Sequence, residues 1–413
     1  MNKGLHWQRQ LLPNGVRLLL YPKPSTMTAQ LSVVVQYGSN DDPDAQAGAA
    51  HFLEHMVPGG STQRIGLSRE VERLGGFIDF FTNHEYTMCL ADVTPNKLEQ
   101  ASHVMSALFL DDCFAEEQFC SERKIIFHEL AEVADDSREK VDEMLAQCLF
   151  KTHPVRRPIG GYVKTVRQLS LEELTQIYLQ HYVPQNMILI LTGNFSEKDV
   201  QVAVQDFSCK PIQKAPIREM RSPEVSAPLG TATKKKAGLS QTYMSIGART
   251  TYSGHPDVPA IDLLNVILGA GASSRLFIEL REKRAYTYDV GSSQTDGSDF
   301  GFFSVNCAVK QKHVEEAERL ILKELSQLKT EKVPDEELNK GKDMILGDIY
   351  RGVDNAESCA EILAIMEVQF GNENALIDYL NRVKAVTAND VRDVANRYLQ
   401  EDRFATAILA PKT

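Results

Sequence analysis

The sequence contains two copies of one pattern, and this repeat limits the folds that the chain can adopt. Residues 169–194 (LSLEELTQIYLQHYVPQNMILILTGN) match residues 386–411 (VTANDVRDVANRYLQEDRFATAILAP), because each has a Ser or Thr that can cap a helix, a helix ending in Tyr and a β-rich strand. AHFLEHMVPGG, which starts at Ala50, aligns with AIDLLNVILGAG, which starts 210 residues later. Because 413 residues are too many for one hydrophobic core, the repeat predicts two homologous halves with a core each.

Each half shows the same order of predicted elements. The first half has the strand patterns GVRLLLYP and AQLSVVVQYGS, then a helix over about 46–56, strands over 77–82 and 86–93, helices over 95–146, a helix from about 170 and the strand NMILILTGN. The second half has TYMSIGAR, a helix near 259–268, strands near 288–293 and 300–309, helices over 312–398 and the strand FATAILAP. Strands grouped apart from blocks of helices favour an α+β fold over a parallel doubly wound sheet. We therefore expect each half to be a mostly antiparallel sheet covered by helices.

The segment between the two copies is rich in Pro, Lys, Ala, Ser and Gly and has no periodicity, which is typical of a linker. We predict a first domain over residues 1–209, a linker over 210–240 and a second domain over 241–413. The lysine run KKK at 234–236 is interpreted as a solvated part of that linker.

Charge and cysteine usage exclude several classes of protein. The 45 basic and 56 acidic residues give a net charge of −11, which argues against a nucleic-acid partner. No run reaches the roughly 18 apolar residues that span a bilayer, so no membrane association is expected. The seven cysteines are scattered without a CxxC pair, which indicates a reducing compartment, and we expect a cytoplasmic protein. A removed leader stays an open alternative.

His51, Glu54 and His55 interrupt the apolar run GAAHFLEHMVPGG. On a helix, residues 51 and 55 lie one turn apart on the same face, and Glu54 reaches the same edge. Two neutral imidazoles beside a carboxylate suit zinc, although the residue types alone do not distinguish zinc from cobalt or manganese. The pattern HxxEH is the inverted form of the zincin motif. The alternative is a pair of core histidines that lie near a glutamate by chance.

A catalytic zinc needs a third protein ligand, and the segment ERKIIFHELAE is the best source of one. Glu122 and Glu129 are seven residues apart, which is two turns of helix, and Ile125, Ile126 and Leu130 are expected to mark the buried side. Two carboxylates on such a stripe are costly unless a cation lies beneath them. The alternative is a surface helix whose acidic residues face solvent.

GAAHFLEHMVPGGS, ERKIIFHELAEVADD, HPVRRPIGG and QHYVPQNMILILTGN together resemble the inverzincin peptidases, the family of pitrilysin, insulin-degrading enzyme and the mitochondrial processing peptidase. In the second half, GAGASSRLFIELREKRAYTYDV is similar to the C-terminal half of the short, bacterial-type and processing-peptidase-like members. The resemblance covers nearly the whole chain. It implies a zinc-dependent endopeptidase in which the two halves form a clam-like chamber around a peptide substrate.

Carried over residue by residue, the resemblance makes His51, His55 and Glu129 the ligands of one zinc ion per chain. It makes Glu54 the general base and Glu122 a second acid that accepts a hydrogen bond from a ligand imidazole. His51, Glu54 and His55 align with Ile261, Leu264 and Asn265 of the second copy, which has lost the polar trio.

The resemblance also makes Arg281 and Tyr288 the pair that holds the substrate backbone and stabilises the reaction intermediate. From the residues alone, Arg281 would form a salt bridge with Glu282 or Glu279, and Tyr288 would be a strand aromatic. Because one chain carries both HxxEH and the Arg/Tyr pair, a homodimer is the simplest assembly. A non-catalytic binding or assembly subunit of the same family is the alternative function.

One departure from the family concerns the substrate-binding strand. The chain has DFFT where relatives commonly have Asn-Ala, so Asp79 and Phe80 replace small residues at an edge that pairs with substrate. A carboxylate and a bulky ring at this place predict one of two outcomes: a shift in specificity, towards basic substrates, or an obstruction of binding.

Overall fold

The computed structural model describes residues 5–110 and 114–412, and these divide into two compact units. The first unit comprises Met1–Ala131, Pro158–Glu219 and Tyr350–Leu376, and the second comprises Glu132–Arg157, Met220–Ile349 and Ile377–Thr413. Each unit therefore contains a segment from the opposite half of the sequence. The domain boundaries at 209 and 241 stay a prediction about the sequence repeat.

The first unit contains a six-stranded sheet in the order β1-β2-β6-β3-β5-β4, in which only β2 and β6 are parallel neighbours. The strands are β1 (Gln8–Leu11), β2 (Arg17–Pro22), β3 (Ala29–Val35), β4 (Phe77–Thr82), β5 (Thr87–Val93) and β6 (Met187–Gly193). Every residue of β3 and β6 is buried, as their near-continuous apolar runs require when helices cover both faces.

The second unit contains a five-stranded sheet in the order β7-β11-β8-β10-β9, in which only β7 and β11 are parallel neighbours. Its strands are β7 (Thr231–Lys236), β8 (Thr242–Arg249), β9 (Val290–Asp296), β10 (Gly301–Val309) and β11 (Phe404–Pro411). Read in order, these strands take the places of β2, β6, β3, β5 and β4, with the parallel pair in the same position. The repeat seen in the sequence is thus a repeat of topology.

Helices cover both sheets, which confirms the predicted α+β class. They are α1 (Ala49–Gly59), α2 (Thr62–Arg73), α3 (Leu98–Leu110), α4 (Glu116–Asp135), α5 (Ser137–Leu149), α6 (Val163–Gln168), α7 (Leu171–His181), α8 (Glu197–Phe207), α9 (Val258–Gly269), α10 (Val314–Thr330), α11 (Asp335–Asp354), α12 (Ala356–Phe370), α13 (Ala375–Ala385) and α14 (Ala388–Tyr398). Within the described residues, none of them is long and apolar enough to cross a membrane.

The two halves exchange one helix each. Helix α5 comes from the first half of the sequence and packs on β11 and β8 of the second unit. Helix α12 comes from the second half and packs on β6 and β3 of the first unit, which are the strands equivalent to β11 and β8. Each sheet is therefore completed by a helix that the other half encodes.

Part of the predicted linker is a strand. Thr231–Lys236 forms β7 at the edge of the second sheet and pairs in parallel with β11. The lysine run 234–236 therefore lies on an edge strand, where lysines discourage pairing with another chain. The run is largely exposed, and the strand was not predicted because exposed edge strands lack the apolar alternation by which buried strands are recognised.

Candidate metal centre and active site

Helix α1 begins at a position that tertiary contacts fix. Gly48 precedes it with a φ of 99°, which ends the preceding loop and makes the helix begin at Ala49 rather than at the predicted residue 46. The buried carboxylate of Asp42 accepts hydrogen bonds from the backbone N–H groups of Gly48 (2.8 Å) and Ala50 (3.1 Å) and from the hydroxyl of Tyr37 (2.8 Å). Asp42 thus satisfies two of the free N–H groups at the start of the helix, in the turn that carries His51.

The two histidines proposed as metal ligands lie along the edge of the apolar face of α1. Phe52, Leu53 and Met56 are fully buried in the core of the first unit, whereas His51 and His55 are half-buried. The two imidazole ring centroids are 4.9 Å apart, as the one-turn spacing predicts. The helix therefore presents both rings in one direction.

The third candidate ligand comes from α4. The Oε2 atom of Glu129 lies 3.6 Å from Nε2 of His51 and 3.2 Å from Nε2 of His55. Ile126 is fully buried and Leu130 packs against the core, which turns this stripe of α4 inward. Ile125 was wrongly assigned to the buried side, because it is 45% exposed.

These three donors fit a zinc ion. In a tetrahedral site with ligand bonds of about 2.0–2.2 Å, ligand atoms lie about 3.3–3.5 Å from one another. The separations of 3.2 and 3.6 Å between Glu129 and the histidines lie close to this range. Among the described residues, this is the one group of three His, Cys, Asp or Glu side chains whose ligand atoms all lie within 4.8 Å of one another. Two imidazoles and one carboxylate leave a fourth position for water or substrate, as in catalytic zinc sites.

Glu122 contacts the imidazole of His55 at Nδ1, the ring nitrogen that does not face Glu129. Its Oε2 atom lies 3.3 Å from Nδ1 of His55, so a proton on Nδ1 can be shared with Glu122 while the Nε2 lone pair faces Glu129. The carboxylate fits because residue 59 is glycine: a Cβ atom there would lie 2.3 Å from Oε1 of Glu122. Gly59 thus makes room for the group that orients His55.

Burial and charge set distinct protonation states in this cluster. Burial, together with the neighbouring His55, lowers the pKa of His51 to about 4, so His51 is neutral at pH 7, as a metal ligand must be. Burial lowers the pKa of His55 too, but the hydrogen bond to Glu122 and the charges of Glu129 and Glu54 outweigh it, and the net pKa is raised.

Glu54 has the properties of a base that works near neutral pH. Burial raises its pKa to about 7, and the charges of Glu129 and Asp79 add to this, against the opposing effects of the Thr82 hydroxyl and His55. A carboxyl group with a pKa near the working pH can both accept and return a proton. The sequence motif indicates the residue, whereas its pKa depends on tertiary neighbours.

The strand that carries Asp79 and Phe80 is an edge strand. Its one partner in the sheet is β5, and the other edge of β4 has no paired strand among the described residues. Phe80 is partly buried and packs against the core of the first unit, and its effect on substrate binding stays a prediction. Asp79 is half-buried and contributes to the raised pKa of Glu54.

Asp42, Gly59 and Gly160 support the site but were not predicted from the sequence. Nδ1 of His51 is buried and makes no hydrogen bond to any described residue, and a Cβ atom on Gly160 would lie 3.6 Å from it. Gly160 also faces the start of α1, because a Cβ atom on Gly48 would lie 2.6 Å from the Gly160 carbonyl oxygen. The double glycine in RRPIGG was the available signal, since paired glycines often mark close backbone approach.

Arg281 and Tyr288 belong to the second unit and contact each other. The Arg281 guanidinium lies 4.2 Å from the centre of the Tyr288 ring and 4.6 Å from that of Phe277. The salt bridge considered for Arg281 is not formed with Glu279, which instead pairs with Lys283 and Arg284. Tyr288 is 79% exposed and precedes β9, so the prediction that a strand begins at this residue was wrong.

The equivalent helix of the second unit carries no such cluster. Ile261 and Leu264 of α9 are buried in the core, and Asn265 accepts a hydrogen bond from the hydroxyl of Ser292 (2.6 Å). The second copy therefore has the same helix, but other side chains occupy the positions of His51, Glu54 and His55.

Two α+β units of one topology, with an HxxEH helix and a glutamate from a second helix in the first unit, define the class of inverzincin-type proteins. The family model described as Insulinase (peptidase family M16) matches residues 17–162, and the model described as the peptidase M16 inactive domain matches residues 168–345. The chain therefore belongs to peptidase family M16. The second description agrees with the loss of the ligands from α9.

Relatives are similar over nearly their whole length. An uncharacterized zinc protease of Mycobacterium leprae is 28% identical over 98% of this chain and 91% of its own. An uncharacterized zinc protease of Bacillus subtilis is 25% identical over 98% of each chain. The crystal structure of a protease from Helicobacter pylori superposes with a TM-score of 0.92 at 21% identity, covering 98% of this chain and 99% of that one, which shows the same fold.

Proposed function

We propose that this protein is a zinc-dependent endopeptidase that hydrolyses peptides or unfolded polypeptides, with one zinc ion per chain. The observation that carries the proposal is geometric: Oε2 of Glu129 lies 3.6 Å from Nε2 of His51 and 3.2 Å from Nε2 of His55, and Glu54 is on the same helix as the two histidines. The names of the relatives, which are called zinc proteases, support the choice of metal.

Zinc, when bound by these three side chains, supplies a Lewis acid that polarises a carbonyl group and makes water more acidic. Glu54 takes the proton of the attacking water at its carboxylate and returns it to the leaving amine. His51 enters the site neutral, and Glu122 holds the ring of His55 in a fixed orientation. Burial of the apolar face of α1 limits the movement of both histidines, which keeps the donor set preorganised.

In the proposed substrate complex, the peptide lies along β4 as an added strand. The unpaired edge of β4 offers backbone donors and acceptors that do not depend on the substrate sequence. Asp79 on this strand favours substrates with a Lys or Arg side chain nearby, because a half-buried carboxylate gains from a positive partner.

The proposal assigns Arg281 and Tyr288 to the substrate backbone and to the negative charge that develops during hydrolysis. It includes a homodimer as the working assembly. Light scattering coupled to size-exclusion chromatography measures the mass directly, and a mass of one chain at micromolar concentration would refute the dimer.

Substitution of the general base tests the enzyme activity. We expect Glu54→Gln to retain zinc, as measured by elemental analysis, and to lower cleavage of a quenched peptide by at least about 100-fold. Glu72→Gln, an equal charge change at an exposed position of α2, should cleave at the wild-type rate. Cleavage by Glu54→Gln at the wild-type rate would exclude the assigned base, and zinc-loaded wild type that binds peptides without cutting any would support a non-catalytic subunit.

A further inference from the structure

The second unit contains a cavity of about 440 Å³ around Arg281 and Tyr288. Its lining includes Lys310 and His313 from the end of β10 and the turn that follows, and no Asp or Glu side chain lines it. The whole chain has a net charge of −11, but this cavity is lined by basic side chains and by no acidic one.

The positive groups are not neutralised by the protein. Among the described residues, neither Arg281 nor Lys310 forms an ion pair, and two nearby acids are engaged elsewhere. Glu279 pairs with Lys283 and Arg284, and Asp289 pairs with Arg138. The cavity therefore retains a positive charge that can attract an anion.

Arg281 is held in an orientation that suits recognition. Its guanidinium carbon lies over the rings of both Phe277 and Tyr288. These two cation–π contacts hold the positive group of Arg281 at the cavity. The ring of His313 stacks on Tyr286 with centroids 4.1 Å apart, which fixes a second side chain of the cavity.

The backbone beside the cavity is strained, as it often is at binding sites. Residues Phe277–Glu282, which carry Arg281, form a π-helical turn. Ala285 follows with a φ of 52°, the one non-glycine residue with positive φ among the described residues, and it lines the cavity. Both features bring Arg281 and Tyr288 together across a tight reversal of the chain.

We infer that this cavity binds a carboxylate of the peptide substrate through Lys310 and His313, the specificity-determining residues, next to Arg281, which keeps its proposed role at the substrate backbone. The inference rests on the proposed peptidase function and deepens it. The carboxylate can come from an Asp or Glu side chain or from the C-terminus of the peptide.

Four peptides that are otherwise identical distinguish these two sources. They have Glu or Gln at one position, and each of these two sequences is made with a free and with an amidated C-terminus. For wild type, we expect the KM of at least one carboxylate-bearing peptide to be about tenfold below that of the neutral amide, with similar kcat, because a charge-assisted contact is made in the bound substrate. A lower KM that follows Glu identifies a side-chain subsite, and one that follows the free C-terminus identifies a chain-end subsite. Equal KM values for all four would overturn the inference.

A charge-reversing substitution of Lys310 tests whether the preference for a carboxylate arises at this cavity. Lys310→Glu should abolish or invert the preference for the carboxylate peptide, whereas Lys312→Glu makes the same charge change at an exposed neighbour that does not line the cavity and should preserve it. An equal loss of preference in both variants would indicate a general surface field and would refute a defined site.

A binding measurement keeps this inference separate from the proposed function. Fluorescence anisotropy of the labelled peptides with the Glu54→Gln protein reports binding without cleavage. If no peptide is ever cleaved but the carboxylate peptide binds about tenfold more tightly, and only Lys310→Glu removes the difference, the peptidase proposal fails and the cavity stands. If the protein cleaves all four peptides and binds them equally, the peptidase proposal is supported and the inferred carboxylate site is refuted.

Discussion

Gly59 at the end of α1 leaves space for a side chain that contacts the candidate metal centre. The carboxylate of Glu122 occupies the space that a Cβ atom would fill, and it holds Nδ1 of His55 from there. A second-sphere partner of this kind fixes the orientation of a ligand and raises its basicity. Glycine at position 59 therefore acts through two other side chains.

We expect Gly59→Ala to lower zinc affinity by about 10-fold to 100-fold, because the methyl group displaces Glu122 from His55. Competition with a chromophoric chelator measures the affinity. Gly66→Ala is the matched control, since no atom lies within 4 Å of its added Cβ and the helix α2 should gain slightly in stability.

If Gly59 acts through Glu122, the effects of Gly59→Ala and Glu122→Ala should not add in the double variant. Additive losses in a double-mutant cycle, or unchanged zinc affinity in Gly59→Ala, would contradict this role.

A pH dependence of stability is expected from Glu224. Partial burial opposes ionisation, but the backbone N–H groups of Lys151, Thr152 and His153 and the Thr152 hydroxyl all donate to its carboxylate and lower its pKa from 4.5 to about 2. Because the folded-state pKa lies below the unfolded value, Glu224 stabilises the fold fully above about pH 4.5, and this contribution is lost as the pH falls towards 2.

Urea unfolding at several pH values tests this contribution. Wild type should exceed Glu224→Gln in the free energy of unfolding at pH 7, and the gap should shrink by up to about 1 kcal/mol by pH 4, solvent screening included. Glu219→Gln, at an exposed position of the same segment, should show no pH-dependent gap. A gap that stays constant between pH 7 and pH 4 would be inconsistent with the lowered pKa.

The candidate metal ligands could be proposed from sequence, whereas the residues that position their side chains could not. HxxEH is a local pattern, because helix geometry alone brings residues 51 and 55 to one face. Asp42, Gly59 and Gly160 act across the fold, and nothing in the neighbouring sequence shows which groups they will meet. The pKa of Glu54 depends in the same way on burial and on Asp79 and Glu129.

Helix α12 is tied to the sheet of the first unit by a buried ion pair. The Glu367 carboxylate is nearly inaccessible and accepts two hydrogen bonds from Arg9 of β1, at 2.9 and 3.0 Å, while Arg17 of β2 lies 3.7 Å away. An arginine fork that meets a carboxylate with both nitrogens gives one preferred register. The exchanged helix is thus fixed by charge as well as by apolar packing.

Removal of the central carboxylate should detach this helix. We expect Glu367→Ala to lower the free energy of unfolding by about 3 kcal/mol, because Arg17 would be left largely buried without its counter-charge. Glu316→Ala, which breaks an exposed pair with Arg319 inside α10, should unfold like wild type in urea. Equal midpoints for Glu367→Ala and wild type would show that apolar packing alone holds α12.

Element types followed from the sequence, but the placement of two helices did not. The apolar stripe of α5 or α12 shows that the helix is covered, and a stripe carries no information about which sheet covers it. Both helices therefore appeared to belong to the half in which they lie. Strand β7 was missed because its exposed lysines hide a period of two.

At the scale of the whole molecule, the exchange of α5 and α12 makes the two halves interdependent. A fragment of residues 1–209 contains α5 but lacks the helix that covers β3 and β6, and a fragment of residues 210–413 lacks the helix that covers β8 and β11. Each fragment alone leaves an apolar sheet face in water.

We expect either fragment expressed alone to aggregate or to bind a hydrophobic dye, and the two fragments expressed together to co-purify and take up zinc. The matched control is the intact chain cut after folding at a protease site inserted next to Ile212, which is 63% exposed and close to the boundary between the two fragments. That nicked protein should keep its zinc and its unfolding temperature. A soluble, cooperatively unfolding fragment 1–209 would contradict the interdependence.

The exchanged helices α5 and α12 also limit how a gene that encodes this fold could be divided. If it were divided between the two copies, neither product could be inherited without the other, since each would carry a piece of its partner's core. Loss of either reading frame would remove both proteins at once, and the two products would have to be made together in equal amounts.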